Sequence, residues 1–360
     1  MLTAIPVKAQ ELSLAWKFQT EDRVISPPLV EEDKVYFGGE DGNFYALNAA
    51  NGTKLWSYPT RGRIQGGAAI HGDAIFFESG NIIFSLNKNT GKEFWRYDPK
   101  WALWGYKIDP YDDKRSKPVV HEGRLYIGSS LGFIFVLDIS TGKLVQRIAA
   151  EYQQPIRTTP LLLGNRLFYG DWAGKVYAYS LEQEKPMWMQ RTYEKKPYET
   201  FGGIASELIL HQGKLIFGAR NPNFKVLDAV NGQTAWQYTD STGGWIIGDP
   251  VIDEGVLYIG GSDNRKMFAF NPDNGELIWS QKVGMNIYTK PIVTDRHLMF
   301  TVGNAYNHKA PGKLVVLNKK DGTLHAEYEV PEATFSSPAW DGQKLYFGAY
   351  DGNLYALNFR

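Results

Sequence analysis

The chain repeats one order of apolar and polar positions eight times. Each unit begins with a short apolar segment, often opened by proline, which ends in a turn such as HEG or DEG. A β-branched and aromatic run such as KVYFGG follows, then a turn rich in Gly, Asp and Asn, and then an alternating run such as NFYALN. Apolar alternation with a period of two, bounded by turn residues, is typical of β-strands. The pattern therefore predicts four antiparallel strands per unit, which we name A to D from the axis outward.

Strands C and D are joined by the phrase Ala-x-Asn/Asp-x-x-x-Gly-x-x-x-Trp. Its central part predicts a tight turn, because Gly tolerates a positive φ. Successive copies start 39 to 51 residues apart, a spacing that suits the blades of a propeller. The eight copies start at Ala46, Ser85, Val136, Ala178, Val226, Ala269, Val316 and Ala356.

Six units carry a Trp at the end of this phrase, and Gln146 and Ala326 replace it in units 3 and 7. We predict that each indole packs between neighbouring blades and donates its N–H to a backbone acceptor, which makes these residues structural. The six are Trp16, Trp56, Trp95, Trp188, Trp236 and Trp279.

The eighth copy ends as ALNFR, and Trp16 at the other end of the chain supplies its closing Trp. An N-terminal strand that completes the last blade would remove the open sheet edge of the ring. We therefore predict an all-β fold, a single eight-bladed β-propeller of four-stranded antiparallel blades over residues 11–360. Residues 1–10 are expected to be a lead-in or the remnant of a signal peptide.

The long connections all fall between strands D and A or between strands B and C, which share one face of the ring, here called the top face. They span residues 96–116, 190–203 and 303–312. Insertions confined to one face usually mark the working face of a propeller. Trp101, Trp104, Trp172 and Trp245 lie in top-face connections, with Tyr288 nearby. Packing of a loop onto its own blade explains each one singly, but together they favour a contact surface for a partner or a planar ligand.

A fixed register at the start of strand A selects one residue per blade that faces the axis. This lower ring is Pro27, Gly67, Lys117, Thr159, Glu207, Asp249, Lys290 and Ser337. The preceding residue is always small, and the residue before that returns to the axial face, because side chains alternate along a strand. This upper ring is Ile25, Gln65, Arg115, Arg157, Ala205, Ile247, Tyr288 and Phe335.

The charged members of the two rings predict a wet axial channel with a positive mouth, because charges are costly to bury unless they are paired or hydrated. They are the cations Arg115, Lys117, Arg157 and Lys290 and the carboxylates Glu207 and Asp249. Two interpretations stay open at this point. The six charges either neutralise one another around channel water, or they form a site for an anionic or polyhydroxylated ligand.

Composition narrows the classes of function. The chain has 39 basic and 39 acidic residues, so no basic field is available for nucleic acid. It has no apolar run long enough for a membrane span and no cysteine, which excludes disulfides, thiolate metal sites and a cysteine nucleophile. The histidines are scattered, His308 being the one on the top face, and no metal site is expected.

The phrase with its closing Trp resembles the repeats of the pyrroloquinoline-quinone-type propellers, over residues 11–360. That superfamily contains eight-bladed quinoprotein alcohol dehydrogenases and non-enzymatic relatives, notably the propeller subunit of the outer-membrane barrel-assembly machinery. The resemblance implies the fold, and it leaves function to be argued from the site.

Three hypotheses for function follow from the residues and the resemblance together. The first is an exported, periplasmic or secreted, monomeric binding propeller whose top face and channel mouth take a protein partner or an anionic or carbohydrate ligand. The second is a carbohydrate-active enzyme, and the third is a quinone-dependent dehydrogenase with calcium. The dehydrogenases are longer and many carry a cysteine pair over the cofactor, so we favour the binder and expect no cofactor.

Overall fold

The computed structural model describes residues 12–100, 115–195 and 201–360. They form eight four-stranded antiparallel sheets whose order follows the chain, which confirms the eight-bladed propeller. The described part contains one short 3-10 turn, Glu151–Gln153, and no helix in it is long or apolar enough to cross a membrane.

The strands of the first four blades run in chain order from the axis outward. Blade 1 has β2 (Leu29–Glu31), β3 (Lys34–Gly38), β4 (Asn43–Asn48) and β5 (Lys54–Pro59). Blade 2 has β6 (Ala69–His71), β7 (Ala74–Ser79), β8 (Ile82–Asn87) and β9 (Glu93–Tyr97). Blade 3 has β10 (Val119–His121), β11 (Arg124–Gly128), β12 (Phe133–Asp138) and β13 (Leu144–Ala149). Blade 4 has β14 (Leu161–Leu163), β15 (Arg166–Gly170), β16 (Lys175–Ser180) and β17 (Lys185–Arg191).

Blades 5 to 7 repeat this order, and blade 8 combines both ends of the chain. Blade 5 has β18 (Ile209–His211), β19 (Lys214–Ile216), β20 (Asn223–Asp228) and β21 (Thr234–Thr239). Blade 6 has β22 (Val251–Asp253), β23 (Val256–Gly260), β24 (Lys266–Phe270) and β25 (Leu277–Lys282). Blade 7 has β26 (Ile292–Val293), β27 (His297–Val302), β28 (Gly312–Asn318) and β29 (Leu324–Val330). Blade 8 has β30 (Ala339–Trp340), β31 (Lys344–Gly348), β32 (Asn353–Phe359) and β1 (Leu12–Gln19).

Strand β1 closes the ring as its outermost strand in blade 8. It pairs antiparallel with β32 over the register Leu12↔Phe359 to Gln19↔Asn353. The predicted closure by the N-terminal strand is confirmed. The ring therefore begins and ends within one sheet, and no blade has to be joined by a weaker contact between separate edges.

The core lies between blades, where the apolar faces of strands B and C of one blade meet those of the next. Phe44 of blade 1 stacks on Phe77 of blade 2, with ring centroids 4.0 Å apart. Both rings are almost completely buried. Each blade buries both of its faces in this way, which is why strands B and C are apolar at consecutive positions.

The six closing Trp residues sit at the outer joints between blades. Each donates its indole N–H to a backbone carbonyl in the C–D turn of the next blade, at 2.9 to 3.3 Å. Each also lies against the Gly of that turn, where an added Cβ would come within 2.7 Å of the indole. The pairs are Trp16 with Gly52, Trp56 with Gly91, Trp95 with Gly142, Trp188 with Gly232, Trp236 with Gly275, and Trp279 with Gly322.

The two units without a closing Trp face blades that lack this receiving turn. In blade 3, Gln146 donates instead to the Tyr179 hydroxyl at 3.1 Å, and the C–D turn of blade 4 carries Glu184 where the other turns have Gly. In blade 7, Ala326 faces blade 8, whose strands C and D come from opposite ends of the chain. A closing Trp is therefore present only where the C–D turn of the next blade carries the receiving Gly.

Strand A is shorter than the repeat pattern predicts. The register residue Lys117 precedes β10 by two positions, and the same offset holds for the lower ring in every blade. Ladder pairing to strand B begins only after that residue, for example with Val119↔Tyr126. The two rings therefore lie on an extended segment just before strand A, and not at the start of the strand itself as the sequence register predicted.

Candidate functional site

In five blades a side-chain hydroxyl holds this extended segment against strand B in place of a backbone ladder. The small residue between the two rings is Ser or Thr in six blades, and it is almost fully buried. In blade 3, for example, the Ser116 hydroxyl accepts the Gly128 N–H at 2.9 Å, and Thr158 and Gly170 repeat the contact in blade 4 at 3.0 Å. Because the side chain of this residue points toward strand B and away from the axis, the residues on both sides of it face the axis.

All sixteen residues of the two rings line one axial cavity of about 340 Å³. The cavity also reaches residues of the B–C connections on the top face, among them Trp172, Arg220, His308 and Tyr350. The structure thus brings together Arg115, Lys117, Arg157, Glu207, Asp249, Lys290, Trp172 and Tyr288 of the predicted site.

Blades 3 to 5 form a cationic wall, made of Arg115, Lys117, Arg157 and Arg220. Arg157 is buried and donates to the Ser130 hydroxyl at 2.7 Å. The Lys117 stem lies over the neighbouring blade, where its Cδ would be 3.5 Å from a Cβ added at Gly67. The absence of a side chain at Gly67 therefore gives Lys117 its room.

Trp172 lies between two members of the cationic wall. The Arg220 guanidinium carbon is 4.4 Å from the indole centroid, and that of Arg157 is 5.9 Å away. A guanidinium over an indole face is attracted by the ring quadrupole. Trp172 therefore contacts Arg220 closely and Arg157 at longer range, and it separates the two cations at the cavity mouth.

A buried carboxyl stands behind the cationic wall. Burial raises the pKa of Glu78, while the charges of Arg115 and Arg157 and the Asn81 N–H oppose that rise. Its carboxylate accepts the Asn81 N–H in a short hydrogen bond. Glu78 supports the wall from outside the cavity lining and was not anticipated from the sequence.

An ion pair crosses the lower ring. Lys290 Nζ lies 2.6 Å from Glu207 Oε2, and the two residues belong to blades 7 and 5. Burial lowers the pKa of Lys290, but Glu207 and then Asp249 raise it by more, so the ammonium is retained. This part of the cavity matches the self-neutralising interpretation of the charges.

Three lower-ring side chains join neighbouring blades. Asp249 Oδ1 accepts the backbone N–H of Glu207 at 2.6 Å. Ser337 accepts the backbone N–H of Lys290 at 2.9 Å, and Thr159 that of Lys117 at 3.3 Å. Asp249 therefore has a structural contact as well as a place in the cavity lining.

Blades 7, 8 and 1 form an aromatic wall, defined by Tyr288, His308, Phe335, Tyr350 and Ile25. The Tyr288 and Phe335 centroids are 4.9 Å apart, and His308 lies 4.5 Å from Tyr350. Phe335 meets Tyr350 edge-on at 87°. The aromatic members of the wall therefore form one group of rings in mutual contact.

The remaining predicted aromatics fall elsewhere. Trp245 lies outside the cavity lining of the described residues and packs edge-on against Phe201, at 6.3 Å. Trp101 and Trp104 lie outside the described residues. Their assignment to the ligand-binding surface stays a prediction.

Sequence reasoning missed Arg220 and Tyr350 as lining residues. Both stand two positions after the strand-B Gly, Gly218 and Gly348, and Trp172 holds the same place after Gly170. Counting forward from that Gly, as well as backward, would have selected them. This third register lies where the B–C connections reach the cavity mouth.

The donor set of the cavity does not fit a calcium ion. The Glu207 carboxylate pairs with Lys290, and the Asp249 carboxylate accepts a backbone N–H. Among the described residues no group of three or more His, Asp or Glu is placed to hold a metal ion. Calcium takes six to eight oxygen ligands, which these two engaged carboxylates do not provide.

The repeat, the closed ring and the axial cavity define the class of protein as an eight-bladed propeller with PQQ-like repeats. The model of the family described as "Outer membrane protein assembly factor BamB" matches residues 4–190, 79–244 and 220–360. The chain therefore belongs to this family, and the predicted resemblance is confirmed.

Individual relatives agree with this membership. The outer membrane protein assembly factor BamB of Yersinia pestis is 24% identical over 351 residues, which cover 92% of this chain and 83% of that protein. The crystal structure of BamB from Moraxella catarrhalis matches with a TM-score of 0.71 and 17% identity, covering 97% of this chain and 98% of that one. The quinohemoprotein alcohol dehydrogenase of Comamonas testosteroni matches with a TM-score of 0.75 and 14% identity, covering 97% and 76%. At these identities the two structures show a shared fold alone.

Proposed function

We propose that this protein is a non-enzymatic binding propeller that takes part in outer-membrane protein assembly. The observation that carries the proposal is the match of nearly the whole chain to a family of assembly factors. On this proposal it works in the periplasm as a monomer and without a cofactor. Its partner is a protein that meets the top face.

The cavity mouth supports an acidic segment as the part of the partner that is recognised. The described lining has five cationic side chains and two carboxylates, a formal excess of three positive charges in a chain that is neutral as a whole. A cleft lined by one sign of charge focuses the field and attracts the opposite sign. Guanidinium groups also bind carboxylates through two parallel hydrogen bonds.

The position of the charge supports top-face binding. Lys290, the cation of the lower ring in blade 7, is already paired with Glu207. The other four cations belong to the cationic wall of blades 3 to 5: Arg115 and Arg157 lie in the upper ring, Lys117 in the lower ring, and Arg220 next to a B–C connection. A carboxylate entering from the top face would meet the upper-ring members of this wall, Arg115 and Arg157, before Lys117.

The test is capture of envelope proteins by the purified protein, beside binding of a panel of acidic peptides and anionic sugars. Reversing Arg115→Glu with Arg157→Glu should abolish binding of acidic peptides and flatten its dependence on salt. Arg157 is buried, so the neutral pair Arg115→Gln with Lys117→Gln provides a milder variant in case the reversal unfolds the protein. Circular dichroism and thermal unfolding check that each variant is folded.

The matched control is Arg61→Glu with Arg63→Glu. These residues are exposed in the top connection between blades 1 and 2, and the substitutions change net charge by the same amount without touching the cavity lining. The proposal expects this control to bind as the wild type does. If it loses binding equally, the interaction follows total charge and not the cavity. If the sugars alone bind, the partner is a polymer and the protein-binding role is wrong.

A further inference from the structure

The cavity has two chemically different walls that face each other. The cationic wall belongs to blades 3 to 5, and the aromatic wall to blades 7, 8 and 1. In a ring of eight blades, blade 3 is opposite blade 7 and blade 4 is opposite blade 8. Arg115 and Lys117 are therefore placed across the axis from Tyr288, and Arg157 across from Phe335.

A purely electrostatic role for the cavity would leave the aromatic wall without a purpose. A net positive channel mouth requires cations and water, and it does not require Tyr288, Phe335, Tyr350 and His308 to gather on the opposite side. Tyr288 and Phe335 are only partly buried, and both line the cavity. Apolar lining with a few placed polar groups is typical of a site that binds an organic group.

The arrangement of the aromatic rings favours a flat aromatic guest. The rings of Tyr288 and Phe335 are tilted by 34°, while Phe335 and Tyr350 meet at 87°. Aromatic pairs attract each other face to face with an offset or edge to face, and rings held at different angles allow a guest ring to pack in either geometry. An aliphatic side chain would gain the burial but not this extra contact.

The size of the cavity limits how much of a partner enters. Its volume of about 340 Å³ is at the lower end of the range for ligand pockets, about 300 to 1,000 Å³. A side chain or two from an extended segment suits this volume better than a folded element. The segment must present its acidic group and its aromatic group close together, because the two walls bound one small space.

We propose, building on the proposed function, that the partner segment entering the cavity carries an aromatic side chain beside a carboxylate. The carboxylate binds the cationic wall through Arg115 and Lys117, and the aromatic side chain packs on Tyr288 and Phe335. The cavity thus recognises an acidic side chain together with an aromatic one, and not negative charge alone.

Three capped tetrapeptides test this reading, with the central pairs Asp-Phe, Asp-Ala and Asn-Phe. Binding is measured by isothermal titration calorimetry at two salt concentrations. Burial of an aromatic side chain is worth about 1.5 to 3 kcal/mol, so Asp-Phe should bind at least about tenfold more tightly than Asp-Ala. It should also bind more tightly than Asn-Phe, and only the two Asp peptides should weaken markedly as salt is raised.

Two cavity variants should fail in opposite ways. Arg115→Gln with Lys117→Gln should lose the preference for Asp-Phe over Asn-Phe and keep the preference for Asp-Phe over Asp-Ala. Tyr288→Ala with Phe335→Leu should lose the preference for Asp-Phe over Asp-Ala and keep the preference for Asp-Phe over Asn-Phe. Its binding should retain its salt dependence. Trp245→Ala is the control, because it removes a top-face aromatic that does not line the cavity, and its binding should match the wild type.

The outcomes separate this inference from the proposed function. Equal binding of Asp-Phe and Asp-Ala overturns the inference, while acidic recognition at the cavity stands. If no peptide binds but envelope partners are still captured through the top face, the cavity does not read the pair and the inference is wrong. If neither peptides nor partners bind to the folded wild type, the proposed function fails as well.

Discussion

The outer joints and the axial cavity are built from the same eight repeats, but the repeats agree in one region and diverge in the other. At the outer joints, six blades place the same Trp against the same Gly, with the same hydrogen bond to the next blade. At the lower ring, the eight equivalent positions hold seven different residue types, from Gly67 to Lys117 to Asp249. One region keeps the repeat, and the other departs from it blade by blade.

The difference shows where the physical constraint lies. A joint has to close the same gap eight times, so one solution with Trp and Gly serves wherever the receiving turn exists. The cavity wall has no such requirement, because its side chains project into a shared space and need only fit one another. The departures from the repeat, such as the cationic wall, are therefore where function is expected.

The largest effect on the joints should come from removing the strand that closes the ring. Deletion of residues 1–20 removes β1 and leaves blade 8 with three strands and an exposed edge on β32. We expect aggregation or loss of cooperative unfolding, seen by size-exclusion chromatography and calorimetry. Deletion of residues 1–10 ends before β1 and should behave as the full chain does. A monomeric 1–20 deletion with unchanged melting would show that closure by β1 does not hold the ring together.

The next effect concerns Trp at a joint and Trp at the top face. Trp236→Ala removes a buried indole that donates to Pro272 O at 2.9 Å, and it should cost about 3–5 kcal/mol of unfolding free energy. Trp245→Ala, which removes a partly buried indole, should cost far less. Denaturant unfolding measures both. If the two variants lose equal stability, the distinction between joint Trp and surface Trp is wrong.

A smaller effect should appear on the glycine side of the same joint. Gly275 and Gly255 share a φ of +76°, but an added Cβ would lie 2.5 Å from the Trp236 indole at Gly275 and meet nothing within 4 Å at Gly255. Both Ala variants pay for the left-handed backbone, about 1–2 kcal/mol. Gly275→Ala should lose about a further 1–3 kcal/mol by overpacking. Thermal unfolding of the two variants measures the difference. Equal melting temperatures would contradict the expected overpacking at Gly275.

The smallest expected effect is a dependence of stability on pH, caused by Glu78 behind the cationic wall. The pKa of Glu78 in the folded protein is raised above its ordinary value of 4.5, mainly by burial. The folded state therefore holds the proton more tightly than the unfolded state. The contribution of Glu78 to stability falls as pH rises from its ordinary pKa toward its raised pKa in the folded protein. Compared with Glu78→Gln, which cannot titrate, the wild type should lose relative stability as pH rises above the ordinary pKa of the Glu78 carboxyl. A pH-independent difference in unfolding free energy would mean that Glu78 is not shifted.

The sequence by itself determined the blade count, the closure by Trp16, the six joints and the sixteen residues of the two rings. These features depend on local periodicity and on the spacing of Gly and Trp, which can be counted along the chain. Even the small residue between the rings was placed correctly on the crowded side, and its hydroxyl contact to strand B explains why.

Only the tertiary structure decided how residues from different blades meet. It stacked Arg220 on Trp172, placed Glu78 behind Arg115, paired Lys290 with Glu207 and brought Tyr350 to the cavity. These contacts join positions far apart in the chain, and their distances are set by how the blades pack around the axis. No local pattern encodes that geometry, so the chemistry of the cavity emerged only when the ring was closed.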